Sequence, residues 1–162
     1  MVEKNRQVKV KSSNKGLNEL ESFIEEICYE YNIINTYYSN IQLALNEVFT
    51  NSRVYKEADN QANDIEILFF SDQKGLHFVL KEEQEGFDFK DFQNLDMYED
   101  DLSEESKGML IIKMLVDELN IADSMKAIEL VFYISSINYS LTVERKKHLE
   151  NYFKNVTLYK AM

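Results

Sequence analysis

Between Leu17 and Lys81 the spacing of apolar residues changes period once, and this change restricts the fold more than any other feature. Leu20, Phe23, Ile24, Ile27 and Cys28 recur at i, i+3 and i+4, which predicts a helix from Leu17 to Tyr31. Asn32 to Asn35 interrupt it. Ile41, Ala44, Leu45, Val48 and Ser52 repeat the pattern and predict a second helix from about Thr36 to Glu57. After that the period falls to two. Asp64–Phe70 and Gly75–Lys81 read as strands, joined through Ser71-Asp72-Gln73-Lys74 and closed by Gly75, which is sound hairpin chemistry.

Proline is absent from the chain, so caps, glycine and asparagine must set the element ends. A short strand is expected over 6–12, with Val8, Val10 and Ser12 on one side, then a turn over Asn14 to Gly16. The segment from about Phe89 to Glu105 has no clean period and sets seven acids against the single Lys90, so it reads as a loop or lid. A buried helix follows over about Lys107 to Leu119, apolar at Met109, Leu110, Ile111, Ile112, Met114, Leu115, Val116 and Leu119. Two strands, Asn120–Ser124 and Ala127–Ile137, and a final amphipathic helix from about Val143 to Lys154 complete the reading. The order β-α-α-β-β-lid-α-β-β-α predicts an α+β two-layer sandwich, a mixed and mostly antiparallel sheet with helices on one face. No repeat or linker divides residues 1–162, so one domain is expected, with a C-terminal helical extension at about 142–156. That extension carries Arg145, Lys146, Lys147 and Lys154, a local basic patch.

Composition excludes several classes. A chain of 162 residues with 44% apolar residues can build one real core, burying roughly two-thirds of its unfolded surface. The lone Cys28 excludes a disulfide framework and belongs in the core. His77 and His148 are too isolated to form a metal site with it. No apolar run approaches the ~18–20 residues a membrane span needs, and the N-terminus lacks the apolar segment of a signal peptide, so a cytoplasmic location is expected. The net charge of −11 argues against direct nucleic-acid binding, which needs a basic face.

Three stretches carry chemistry. On the second helix, Glu47 and Asn51 stand four residues apart and share a face that flanks the apolar stripe. At the end of the hairpin the chain reads Glu82-Glu83-Gln84-Glu85-Gly86-Phe87-Asp88. After the acidic segment come Ser106-Lys107-Gly108-Met109-Leu110-Ile111-Ile112, then Val116-Asp117-Glu118. In order and spacing these resemble the anti-sigma-factor kinases of the histidine-kinase-like (GHKL) ATPase superfamily, over roughly residues 36–135. That family has Glu-x-x-x-Asn on a long helix, Asp-x-Gly-x-Gly-Phe-Asp after a strand, and Gly-x-Gly-Leu-x-Leu-Ile at a helix start. The departures are Tyr55 in place of a histidine, Glu82 and Gln84 in place of Asp and the first Gly, and Ser106 in place of another Gly.

The resemblance implies ATP and Mg²⁺ as cofactors. It makes Glu47 the general base and Asn51 a Mg²⁺ ligand through its amide oxygen. Glu82 and Gly86 would form the adenine pocket, with Lys107 and Gly108 at the phosphates on a helix N-terminus. Each has a plainer reading: solvated helix residues for Glu47 and Asn51, a charged turn for Glu82 to Glu85, an exposed cation for Lys107, and a helix cap for Ser106. Two lost glycines and the acidic surroundings predict weak or absent ATP binding. The partners the resemblance implies are a sigma factor and a small anti-sigma antagonist with a phosphorylatable serine, and a homodimer is possible in such a family. Three functions stay open: a regulatory serine kinase, a degenerate binding module of the same fold, and an unrelated α/β interaction domain.

Overall fold

The computed structural model describes residues 5–53, 55, 62–87, 104–122, 125–134 and 147–155. Five strands form one sheet: β1 (Arg6–Lys11), β2 (Asp64–Ser71), β3 (Gly75–Lys81), β4 (Glu118–Ala122) and β5 (Ala127–Tyr133). Three helices, α1 (Asn14–Glu30), α2 (Tyr38–Thr50) and α3 (Glu104–Leu115), lie between them in the chain, and α4 covers residues 147–155. The sheet order is β1-β2-β3-β5-β4, and every pairing is antiparallel, so the sheet is not mixed as expected.

Alternation decides which face of the sheet is covered. Val10, Ile65, Ile67, Phe69, Leu76, Phe78, Leu80, Ile128, Leu130 and Phe132 all point to one side and are buried. Against them lie Leu20, Phe23, Ile24, Ile27 and Cys28 from α1, and Ile41, Ala44, Leu45, Val48 and Phe49 from α2. Each large aliphatic or aromatic side chain removed from water contributes about 1.5–3 kcal/mol, so this single layer dominates the stability. Burial also pushes the Cys28 thiol up to about 12, as suits a core residue.

The element boundaries that differ most instructively from the sequence expectation are four, each for a local reason. α1 begins at Asn14, because the Ser13 hydroxyl caps it by accepting from Gly16 N–H at 3.3 Å; residues 14–16 are its first turn, not a separate turn. β1 stops at Lys11, though Ser12 is fully buried as its alternation requires. α2 ends at Thr50, seven residues early, because Ser52 leaves the helix to pair with Phe87 in an isolated antiparallel bridge. α3 starts at Glu104 and ends at Leu115, so Leu119 belongs to β4, which begins at Glu118 beside Val131 of β5. Nor is α3 buried all round: Met109 and Ile112 are, but Met114 is 70% exposed. The lid expected over 89–103, the strand end over 135–137 and the start of the last helix at 143–146 lie outside the described residues.

The expected hairpin holds as drawn. β2 and β3 pair from Glu66↔Lys81 to Ser71↔Leu76, and the Asp72 carboxylate closes the turn by accepting from the N–H groups of Lys74 and Gly75 at 2.9 and 3.2 Å. No described helix is long and apolar enough to cross a membrane.

Candidate functional site

The end of α2 is the point where the three stretches meet. Asn51 is its C-cap residue, and the Asn51 amide nitrogen donates to the Glu47 backbone carbonyl at 2.5 Å. One residue on, Ser52 bridges to Phe87, and Arg53 N–H donates to the Gly86 carbonyl at 3.0 Å. The second stretch is therefore tied to the first by backbone pairing. The third arrives through Gly108 on α3. A Cβ built on Gly108 would stand 2.7 Å from Glu47 Oε2 and 3.4 Å from Asn51 Nδ2. Glu47, Asn51, Glu82, Gly86 and Gly108 thus belong to one region; the Lys107 side chain lies outside the described residues.

Glu82 occupies the floor of the second stretch. It follows β3 on the core-facing side and is 1% exposed. Its Oε1 accepts from Gln84 N–H at 3.0 Å, and its Oε2 accepts from Glu85 and Gly86 N–H at 2.7 and 2.5 Å. The carboxylate thereby holds together the turn that its own sequence makes. Gly86 has φ +77°, a conformation glycine adopts at no steric cost. The turn is fixed on its far side too, because Phe87 N–H donates to Met125 O and Glu82 N–H to Lys126 O, both at 2.9 Å. Phe87 is fully buried beneath it.

Burial raises the Glu47 carboxyl above the ordinary glutamate value. Desolvation disfavours the charged form, and a base so tuned takes a proton more readily at neutral pH. The sign for stability follows. The folded state binds this proton more tightly than the unfolded chain, so ionised Glu47 costs stability above its folded pKa, and the cost disappears as pH falls through that value. Glu47→Gln is therefore expected to raise the midpoint of thermal unfolding slightly at pH 7, with the gap closing as pH falls toward the ordinary glutamate range. Melting curves of both proteins at several pH values check it.

A nucleotide fits these described groups poorly. Glu82 is 1% exposed and has little acceptor capacity to spare: its Oε1 accepts one backbone N–H and its Oε2 two, out of roughly four sites on the carboxylate. In a helix that begins at Glu104, the Gly108 N–H lies within the ladder, bonded four residues back, and not at the open N-terminus expected for a phosphate cradle. The space that the missing Cβ leaves at Gly108 is taken by the Glu47 carboxylate, an anion where phosphates would have to lie. The glycine works as a contact point between α2 and α3. Gly108→Ala accordingly meets only the far end of a flexible side chain, while alanine gains about 1 kcal/mol of helix propensity over glycine. The expected net change in unfolding free energy is within about 1 kcal/mol, measured by urea titration.

The profile of the histidine kinase-like ATPase domain matches residues 10–132. The chain belongs to that family. The matched span runs from the end of β1 to the end of β5 and so contains the whole sheet core, α1 to α3 and all three stretches. No curated protein matches the chain. Within the family fold, the region at the end of α2 is where Glu47, Asn51, Glu82, Gly86 and Gly108 gather.

What sequence reasoning missed here is the linkage rather than the location. Ser52, read from its spacing as part of the helix stripe, and Arg53 carry the backbone ties to Phe87 and Gly86, and a polar Ser-Arg pair after a helix offers no signal for such pairing. Tyr55, standing where the family has histidine, packs edge-on against Phe49 at 6.0 Å, and its hydroxyl donates to Asn14 Oδ1 at the start of α1.

Proposed function

We propose that this histidine kinase-like ATPase domain acts chiefly by binding protein partners, in the manner of an anti-sigma factor, with a degenerate nucleotide site. The observation that supports the reading is Glu82, whose carboxylate is 1% exposed and commits three of its roughly four acceptor sites to N–H groups of its own turn, which leaves it poorly placed to read adenine. The carboxylate of Glu47 set against Gly108 supports it from the phosphate side. The partners proposed are a sigma factor and a small antagonist protein. The test is capture of a purified sigma factor by the immobilised domain with and without Mg-ATP. Equal capture in both conditions is expected; capture that requires nucleotide overturns the reading.

One observation favours a second reading, an active serine kinase acting on the antagonist. Glu47 sits beside Asn51 with a raised proton affinity, the property a general base requires. In that case Asn51 would hold Mg²⁺ through its amide oxygen, which its contact with the Glu47 carbonyl leaves outside the bond, since that contact uses the nitrogen. Transfer of labelled phosphate from ATP to a serine of the antagonist, abolished by Glu47→Ala, would establish the kinase.

A further inference from the structure

Among the described residues the sheet ends on β1, whose only strand neighbour there is β2. The hydrogen-bond phase of that pair settles which backbone groups face outward. Ser12 N–H donates to Asn63 O at 2.8 Å, one step beyond the Lys11↔Asp64 pair. In an antiparallel ladder the residues bonded to the neighbour alternate, so Val10, Val8 and Arg6 turn their N–H and C=O groups to β2. Gln7, Lys9 and Lys11 turn theirs away. The Lys11 carbonyl is taken by Ser13 N–H at 2.8 Å and closed off by Gly16. Gln7 and Lys9 remain as two successive outward-facing positions of an edge strand, the geometry that accepts an added strand.

A groove of about 360 Å³ runs beside this edge, lined by the apolar Val8 and Phe23 and by the polar Lys15, Asn18, Glu19, Ser22 and Glu26. The groove lies on the α1 side of the strand; Gln7, Lys9 and Lys11 lie on the open side of the sheet and are exposed. An added strand would therefore turn alternate side chains toward two different surfaces, one that holds Val8 and Phe23 and one that holds Lys9, opposite Glu66 of β2. Of the cations near the edge, Arg6 is held by Glu26 at 2.7 Å and lies over the Phe23 ring, and Lys11 pairs with Asp64 at 2.8 Å. Lys9 and Lys15 have no ion-pair partner among the described residues.

Charge selects the occupant. β1 reads Arg-Gln-Val-Lys-Val-Lys, with three cations and no acid, so an acidic partner strand matches it in charge, whereas β1 of a second copy paired Lys9 against Lys9 sets like charges opposite each other. We infer that the free edge of β1 docks an extended segment of a partner protein, a strand in which acidic residues facing Lys9 alternate with apolar residues entering the Val8–Phe23 groove. This goes beyond the anti-sigma reading and does not depend on it, because the edge carries none of the groups at the end of α2.

The test uses the full chain and a fluorescein-labelled peptide alternating glutamate and valine, followed by fluorescence anisotropy. Saturable binding is expected, about tenfold weaker for Lys9→Glu and for Gln7→Pro, and much weaker for a peptide alternating lysine and valine. Gln7→Pro removes an outward N–H and none that bonds β2, so its melting midpoint is expected to stay near that of the parent. Should the proline variant fail to fold, Lys9→Glu, an exposed surface change, carries the test alone. Absence of saturable binding, equal binding of the two peptides, or full binding by Lys9→Glu overturns the proposal. A dimer in solution that Gln7→Pro converts to monomer overturns it as well, in favour of self-pairing.

Discussion

Glu82→Ala is expected to lower the unfolding free energy by about 3 kcal/mol. Hydrogen bonds to a charged group contribute about 1.5–3 kcal/mol each, and an acceptor removed from a buried donor leaves the donor's desolvation uncompensated. The Gly86 N–H is the buried one of the three that Glu82 accepts; those of Gln84 and Glu85 belong to exposed residues and can turn to water, which keeps the total near one strong bond plus one orphaned donor. The loss spreads, because Gly86 and Phe87 are the residues that bind Arg53, Ser52 and Met125. Glu82→Gln keeps one oxygen but offers N–H where N–H groups already point, so a cost of about half that size is expected. Urea unfolding of the three proteins measures both. A carboxylate whose purpose was to meet adenine would behave differently: its removal would leave the stability of the free protein almost unchanged. A loss below about 0.5 kcal/mol for Glu82→Ala would therefore remove the structural role assigned to it.

Gly16→Ala is expected to be at least as damaging, costing about 3 kcal/mol or more. A Cβ at this position would stand 1.6 Å from the Lys11 carbonyl oxygen and 2.7 Å from the carbonyl carbon. Both are backbone atoms. The contact can be relieved only by moving the first turn of α1 away from β1, which also strains the Ser13 cap of that helix. The same substitution at Gly108 meets a movable carboxylate, and this contrast makes the pair informative. A large loss at residue 16 with little change at 108 is the expected outcome of parallel urea titrations. A heavy loss at 108 would mean that α2 and α3 are packed more rigidly there than the geometry indicates.

Much of the fold could be read from residue spacing because local periodicity and tertiary burial agree. The stripe Leu20, Phe23, Ile24, Ile27 and Cys28 is buried as its spacing requires, and the β2–β3 turn is closed by Asp72 and Gly75 as its residues suggest. The boundaries failed where a distant partner decides. Nothing between Ser52 and Glu57 breaks a helix, since the chain has no proline, and only pairing with Phe87, far along the chain, draws Ser52 out. Glu104 and Glu105 looked like the tail of an acidic loop. They belong to α3 instead, and that earlier start moves Gly108 from the helix mouth into its interior. The extra methylene of Glu82 relative to aspartate was plain from the sequence. Its consequence, a carboxylate that curls back onto its own turn, follows from three-dimensional reach and has no signature in one dimension.

That these residues gather at one place was legible, and how they engage one another was not. Convergence of residues 47–51, 82–87 and 108 follows from motif order, and the structure brings these residues together at the end of α2. Whether such a cluster is open to a ligand depends on which groups have already satisfied one another.

Titration of the purified domain with Mg-ATP by isothermal calorimetry tests this most directly. No measurable heat of binding up to millimolar nucleotide is the result that Glu82 closed on its turn and Glu47 seated at Gly108 lead us to expect. A low-micromolar dissociation constant, which at a hundredfold excess would also stabilise the fold by about 2.7 kcal/mol, would contradict it.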